Sequence, residues 1–207
     1  MKMQHFNTGP LYVNTYLVWD DAGIAFIVDP GGPSRAVEEA IDSKGLDLEY
    51  VILTHGHADH IGGIESLRSR YPRVKVLACR EEKELLGDPM LNSSYEILGR
   101  AVTVRPDVLV GDGDMLRIGD MDLTFLHTPG HSPRGMCIVT GGACFSGDTL
   151  FCGSVGRTDF YGGSMAVLAE SIKTKLFPLP DDTVVYPGHM GTTTIGDEKR
   201  YNPFVRA

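Results

Sequence analysis

Apolar, strand-like runs in this chain end five times on a histidine or an aspartate. Asp29 follows "IAFIV", and the group His55, His57, Asp59 and His60 follows "YVILT". His131 closes "LTFLHTPGH", Asp148 follows "ACFSG", and His189 follows "TVVYPG". Polar residues at strand ends are held by a rigid scaffold yet displayed on loops, where sites tend to be built. Five of the seven histidines fall into this set. The other two, His5 and His127, read as structural.

The rest of the pattern says what the strands belong to. "LYVNTYLVW" and "IAFIVD" flank the hairpin signal "DDAG". Pro33 to Lys44 reads as a helix, with Val37, Ala40 and Ile41 on one face, Pro33 at an early position and Gly45 as its cap. "YVILT" is a buried-type strand, Ile61, Ile64 and Leu67 predict a helix ending before Pro72, and "VKVLA" is a strand. Residues 81 to 106 carry little pattern and predict only a short helix near Glu81 to Leu86. From Met115 the reading is β, through "DMLRIG", "MDLTFLHT", "MCIVT" and "ACFSG". A helix from Ser164 to Leu176 and a last strand in "TVVYPG" close it. No repeat, low-complexity tract or linker interrupts the order. Residues 1–207 are therefore expected to form a single α/β domain of two packed sheets with helices outside.

Composition removes several function classes. With 207 residues, 42% hydrophobic and 22% charged, the chain reads as soluble and globular. It lacks an N-terminal apolar run of signal-peptide length and any stretch near the roughly 20 apolar residues of a membrane span. A cytoplasmic protein without a membrane partner is expected. The four cysteines show no C-x-x-C spacing and mostly sit in apolar segments, which predicts buried free thiols. The net charge of -8, without a lysine and arginine stripe, argues against nucleic acid.

The spacing in "HGHADH" governs how its side chains point. His55 and His57, two apart, project to the same side in extended backbone, whereas Asp59 and His60 diverge as a helix begins. One metal could take the first pair and a second the other, with Gly56, Gly62 and Gly63 letting backbone pass close to the ions. His131, His189 and Asp148 supply further ligands. Imidazole and carboxylate suit zinc, iron and manganese alike. Two ions about 3.5–4 Å apart need an anionic bridge, and Asp148 is the natural one. The catalytic carboxylates are assigned to Asp59 and Asp148.

These residues resemble the metallo-β-lactamase superfamily. Its T-H-x-H-x-D-H motif stands here as Thr54, His55, His57, Asp59 and His60, and its later motifs as "TPGH", "SGDTLF" and "YPGH". The resemblance runs from "NTYLV" and "VDPGG" to "TTIGDEKRYNPF", and it implies a four-layer αβ/βα sandwich. Within the superfamily the chain is most similar to short glyoxalase II-like hydrolases. That likeness implies one ion on His55, His57 and His131, a second on Asp59, His60 and His189, and Asp148 bridging. Asp29 would orient a ligand. Asp148 sets the chain apart from true β-lactamases. Only 18 residues follow His189, so the C-terminal helical domain of full-length glyoxalase II is expected to be absent.

The implied activity is hydrolysis of an anionic thioester such as S-lactoylglutathione, with two divalent ions, zinc first and iron or manganese as alternatives. A hydroxide shared by the ions would be the nucleophile. Arg134 and Arg157 carry two readings each. Arg134 stands where relatives commonly have glycine, either with Gly135 doing the turning or as an anchor for a substrate carboxylate. Arg157 reads as a local partner of Asp159 or as a substrate contact. The "GRTDF" segment also resembles persulfide dioxygenases, in which a single iron would be held by His55, His131 and Asp148 alone.

Overall fold

The structure, a computed structural model, describes residues 1–206. One sheet contains, in spatial and chain order, β1 (Lys2–Thr8), β2 (Val13–Trp19), β3 (Ile24–Val28), β4 (Asp47–Ile52), β5 (Lys75–Cys79) and β6 (Val108–Val110). Its first three strands are antiparallel and β3 to β6 are parallel. The second half begins with β7 (Met115–Ile118), β8 (Met121–His127), β9 (Met136–Thr140) and β10 (Ala143–Gly147). A small hairpin of β11 (Leu150–Phe151) and β12 (Ser154–Val155) follows, then β13 (Val184–Pro187) and β14 (Thr193–Thr194). The second sheet runs β14-β13-β10-β9-β8-β7, with β10 and β13 parallel.

The period-2 alternation of each strand sorts its side chains into separate cores. Leu17, Ala25, Ile27 and Val51 face helices α1 (Arg35–Lys44) and α3 (Ile64–Arg70), packing on Val37, Ile41, Ile64 and Leu67. The intervening Tyr16, Val18, Phe26, Val28 and Ile52 face the other sheet and meet Leu123, Phe125, Ile138 and Phe145. Beyond the second sheet, Cys137, Cys144 and Val185 pack on Leu168 of α6 (Met165–Ser171), on Ile172 and Leu176, and on Ile195 of α7 (Ile195–Tyr201). Three cores in series make a four-layer αβ/βα sandwich. No helix among the described residues is long and apolar enough to cross a membrane.

Several boundaries differ from the sequence reading. Helix α1 starts two residues later than Pro33, because the Ser34 side chain caps it by accepting from the Val37 amide. Gly45 ends it in the left-handed region at φ 63°. The helix expected after the histidine turn is split into α2 (Ala58–Ile61) and α3 at Gly62 and Gly63. Packing alone requires those glycines: a Cβ would lie 2.5 Å from the Gly31 carbonyl at position 62 and 2.6 Å from that of Gly32 at position 63. The helix expected to run to Leu176 changes its bonding after Ser171, as the Phe177 amide reaches back to the Ile172 carbonyl at 2.9 Å.

Of the cysteines, Cys79, Cys137 and Cys144 are buried and free, whereas Cys152 is exposed. Buried Glu198 on α7 accepts from the Gly153 amide at 3.0 and 3.1 Å, from the Thr193 hydroxyl at 2.7 Å and from Asn202 Nδ2 at 2.7 Å. Glu198→Ala strands these donors and is expected to cost about 2–4 kcal/mol. Thermal unfolding checks it, and an unchanged midpoint would contradict it.

Candidate metal centre

All the strand-end residues converge on one edge of the sandwich. Asp29 follows β3 and the turn bearing His55 to His60 follows β4, both in the first sheet. His131, Asp148 and His189 come from loops after β8, β10 and β13 of the second. The last two loops are tied where the Gly188 amide donates to the Gly147 carbonyl at 2.8 Å. A Cβ on Gly188 would lie 2.5 Å from Asp148 Oδ1 and 2.6 Å from His60 Cε1, so only glycine lets this backbone pass.

The donors fall into two triads. His131 Nε2 lies 3.2 Å from His55 Nε2 and 3.0 Å from His57 Nδ1. Asp59 Oδ2 lies 3.3 Å from His189 Nε2 and 3.7 Å from His60 Nε2. Asp148 stands between them, with Oδ1 3.4 Å from His60 Nε2 and Oδ2 3.6 Å from His131 Nε2 and 3.7 Å from His189 Nε2. Each triad lies within the reach of one ion's coordination sphere.

The surrounding hydrogen bonds decide which nitrogens are free. The Asp29 carboxylate accepts from the Thr54 amide at 2.8 Å, from the Thr54 hydroxyl at 2.5 Å and from His60 Nδ1 at 2.9 Å. Since the Thr54 hydroxyl donates to Asp29, it must accept from His55 Nδ1 at 3.1 Å. His131 Nδ1 donates to the Arg157 carbonyl at 2.7 Å. His55 and His131 therefore keep Nδ1–H and turn a bare Nε2 lone pair inward, and His60, with its Nδ1–H on Asp29, has only Nε2 left to offer a cation. Asp29 is close enough to His55 and His60 to form a third donor group, but its oxygens are already taken by these three donors. It orients the imidazoles, from a backbone strained to φ 49°.

Lone pairs of two buried nitrogens 3.2 Å apart repel unless a cation or proton lies between them. His60 Nε2 and Asp148 Oδ1 are buried without a hydrogen-bond partner. The donor set thus fits divalent cations. Burial and the neighbouring histidines hold His55 well below the ordinary imidazole range, and burial with His131 lowers His57 to about 3. Burial opposes ionisation of Asp59, yet His60 and His189 outweigh it and keep this carboxyl well below its usual range.

Burial likewise opposes charge on His60, but Asp148, Asp59 and Asp29 raise it to about 10. A cation taking His60 Nε2 must therefore displace a proton at neutral pH, whereas His55 and His57 are already unprotonated there. The metal-free His60 holds its proton below about pH 10. Affinity at the His60 triad is thus expected to rise with pH, by up to ~10-fold per unit between about pH 7 and 9. Metal titration across that range checks it, and a flat profile would contradict it.

Access is one-sided. The His60 side chain is fully buried, whereas that of His189 is 25% exposed, the most open of the donors. Phe160 covers the opposite flank, its ring 4.8 Å from His57 and 6.0 Å from His131. Arg157 forks onto Asp159 with two bonds of 2.6 Å and stacks at 4.2 Å on Phe160. Arg134 is exposed and forms no ion pair among the described residues. His5 bonds Asn14, and His127 is half-buried away from the donors.

The sequence reading gave no role to Glu82, which is buried beneath the histidine turn. One of its oxygens accepts from the Gly56 amide, between His55 and His57, at 3.1 Å. Burial pushes its carboxyl up to about 7. It is one of three glutamates in "CREEKELL", where apolar neighbours mark a helix face but do not tell which carboxyl is buried.

Residues 8–189 match the family described as the metallo-beta-lactamase superfamily. The chain belongs to the metallo-β-lactamase superfamily. Among superfamily relatives, it is 39% identical to the probable metallo-hydrolase YqgX of Bacillus subtilis, covering 99% of this chain and 98% of that one. It is 36% identical to the hydroxyacylglutathione hydrolase GloC of Haemophilus influenzae, covering 94% and 93%. The BLEG-1 B3 metallo-beta-lactamase superposes with a TM-score of 0.93 over 100% of both chains at 37% identity. ETHE1 from Myxococcus xanthus has a TM-score of 0.77 at 32% identity over 98% of this chain and 84% of its own. A di-iron-bound form of TTHA1623 has a TM-score of 0.84 at 34% identity over 98% and 100%. The superfamily fold binds divalent metals, and the donor groups described above are of that type.

Proposed function

We propose that the protein is a cytoplasmic dinuclear metal hydrolase acting on small anionic thioesters of the hydroxyacylglutathione type. The observation that carries this reading is Asp148 lying between two complete triads, His55–His57–His131 and Asp59–His60–His189. A single-iron dioxygenase using His55, His131 and Asp148 would leave His57, Asp59, His60 and His189 without a task. Likeness to GloC supports the thioester, and the three buried free thiols fit a reducing compartment. Zinc is the proposed metal, and iron or manganese suits the same donors.

Two bound divalent ions supply a hydroxide nucleophile at neutral pH and polarise the substrate carbonyl. The chain's own residues prepare for that. Asp29 and Thr54 fix the proton of His55 and His60 on Nδ1, and the Arg157 carbonyl does so for His131. Phe160 shields the His57 and His131 flank from water, leaving the approach beside His189. A thioester suits such a site because its leaving thiol, with a pKa near ~8.5, departs as thiolate without a strong general acid. Arg134 is the proposed anchor for the anionic tail, since Arg157 is committed to Asp159.

Arg134→Ala is expected to raise KM for an anionic thioester by roughly 10-fold while changing kcat less. An unchanged KM would remove Arg134 from substrate binding. The reading as a whole is tested by metal analysis with a panel of glutathione and coenzyme A thioesters, a β-lactam and a persulfide. About two ions per chain and thioester turnover are expected. One iron per chain with oxygen uptake overturns it, as does β-lactam cleavage without thioester cleavage.

A further inference from the structure

We infer that Asn14 is a positioning residue that clamps the His189 loop and thereby sets occupancy of the Asp59–His60–His189 site. The inference rests on the two-ion reading above. Asn14 lies on β2, in the first sheet, whereas His189 follows β13 of the second. It is 5% exposed, and its amide reaches across to the loop. Nδ2 donates to the Pro187 carbonyl at 3.0 Å and to the Met190 carbonyl at 2.9 Å, one on either side of His189. The Asn14 backbone amide donates to the Gly188 carbonyl at 2.7 Å. Three contacts from one residue, to the carbonyls of Pro187, Gly188 and Met190, thus bracket a single histidine.

The other end of the side chain is equally committed. Oδ1 accepts from His5 Nε2 at 2.8 Å and from Asn7 Nδ2 at 2.9 Å. All four bonding positions of the carboxamide are filled, and two carbonyls facing Nδ2 admit only one orientation. The Tyr16 hydroxyl adds a second strap, donating to Pro187 at 2.8 Å.

The loop needs such a clamp. Met190 sits at φ 69°, a left-handed conformation unfavourable for a residue with a Cβ. His189 is also the most exposed of the histidine donors, and its Nδ1 has no hydrogen-bond partner among the described residues of the kind that fixes His55, His60 and His131. Its aim therefore depends on its backbone. Nothing comparable ties Asn14 to the His55–His57–His131 triad, so loss of the clamp acts on one ion and not the other.

The test loads wild type, N14A, N14D and Y16F with zinc or cobalt(II), and reads ions per chain, the affinity of each ion and the cobalt d–d spectrum. N14D keeps the acceptor for His5 and Asn7 but turns an oxygen towards two carbonyls. In N14A and N14D the second ion is expected to bind roughly 10- to 100-fold more weakly, with the first ion unchanged. Y16F, losing one strap, should show a smaller shift in the same direction. The retained first ion also certifies that the variants fold. Two ions bound with wild-type affinity in N14A overturn the clamp while the two-ion reading stands. Equal loss of both ions in N14A and N14D, with Y16F unaffected, overturns it in favour of a general folding role. If wild type itself holds one ion or none, both the clamp and the two-ion reading fall.

Discussion

Asp148→Ala is expected to lower kcat/KM for a thioester by at least ~10³-fold and to leave fewer than two ions per chain. Asp148 reaches the inward-facing donors of both triads, at 3.4 Å from His60, 3.6 Å from His131 and 3.7 Å from His189, whereas Asp29, the other carboxylate near both, is taken up by Thr54 and the outer nitrogen of His60. Asp59 touches only His60 and His189, so it cannot substitute. Removing Asp148 takes away the negative charge that offsets two closely spaced cations, and the Oδ1 that has no other partner. Kinetics and metal analysis on the same preparation check both effects. Two ions and wild-type turnover in D148A would show that nothing needs to bridge the triads.

Stripping the ions with a chelator should produce the second large effect, on stability. Ions present at about 1,000 times their dissociation constant contribute ~4 kcal/mol to the folded state. For a chain of this size that corresponds to roughly 8–16 °C in Tm. The metal-free cluster leaves the His55 and His131 lone pairs opposed at 3.2 Å and His60 Nε2 buried without a partner. Scanning calorimetry before and after chelation, with zinc, iron or manganese added back, measures the shift. A Tm indifferent to chelator and to all three metals would separate this cluster from metal binding.

The strongly apolar strands were legible because burial on both faces leaves little choice: "IAFIV", "YVILT" and "ACFSG" became β3, β4 and β10. Strand β1, "KMQHFNT", was not, since it lies at a sheet edge with most of its residues partly or fully exposed. Helix α7 and strand β14 were hidden for another reason. Their short segments are defined by the buried Glu198 and its partners, and tertiary hydrogen bonds leave no periodicity to read. The same holds for α5 (Ser94–Leu98), whose preceding loop is fixed by the Ala58 amide donating to the Asn92 carbonyl.

In the candidate site, histidines and aspartates announced themselves through local spacing and strand-end position. The residues that orient them did not. Asn14 stood inside the quoted "NTYLV" without a role, because its partners are 173 and 176 positions away. Glu82 fell inside the short helix expected near Glu81 to Leu86, with nothing in its neighbours to mark it as buried. Gly62 and Gly63 suggested room for ions, and their reason is the backbone of Gly31 and Gly32.

The division of the donors between two sheets has a consequence for how the protein is made. His55, His57, Asp59 and His60 leave the ribosome early, whereas His189 comes near the end and belongs to a strand that must first pair with β10. Contacts that close such long loops form late in folding. A nascent chain can offer the first half of the site to any ion in its surroundings, with only imidazole and one carboxylate to discriminate. The complete, asymmetric set exists only after both sheets have docked. Any discrimination that needs all seven donors can therefore act only on the docked protein.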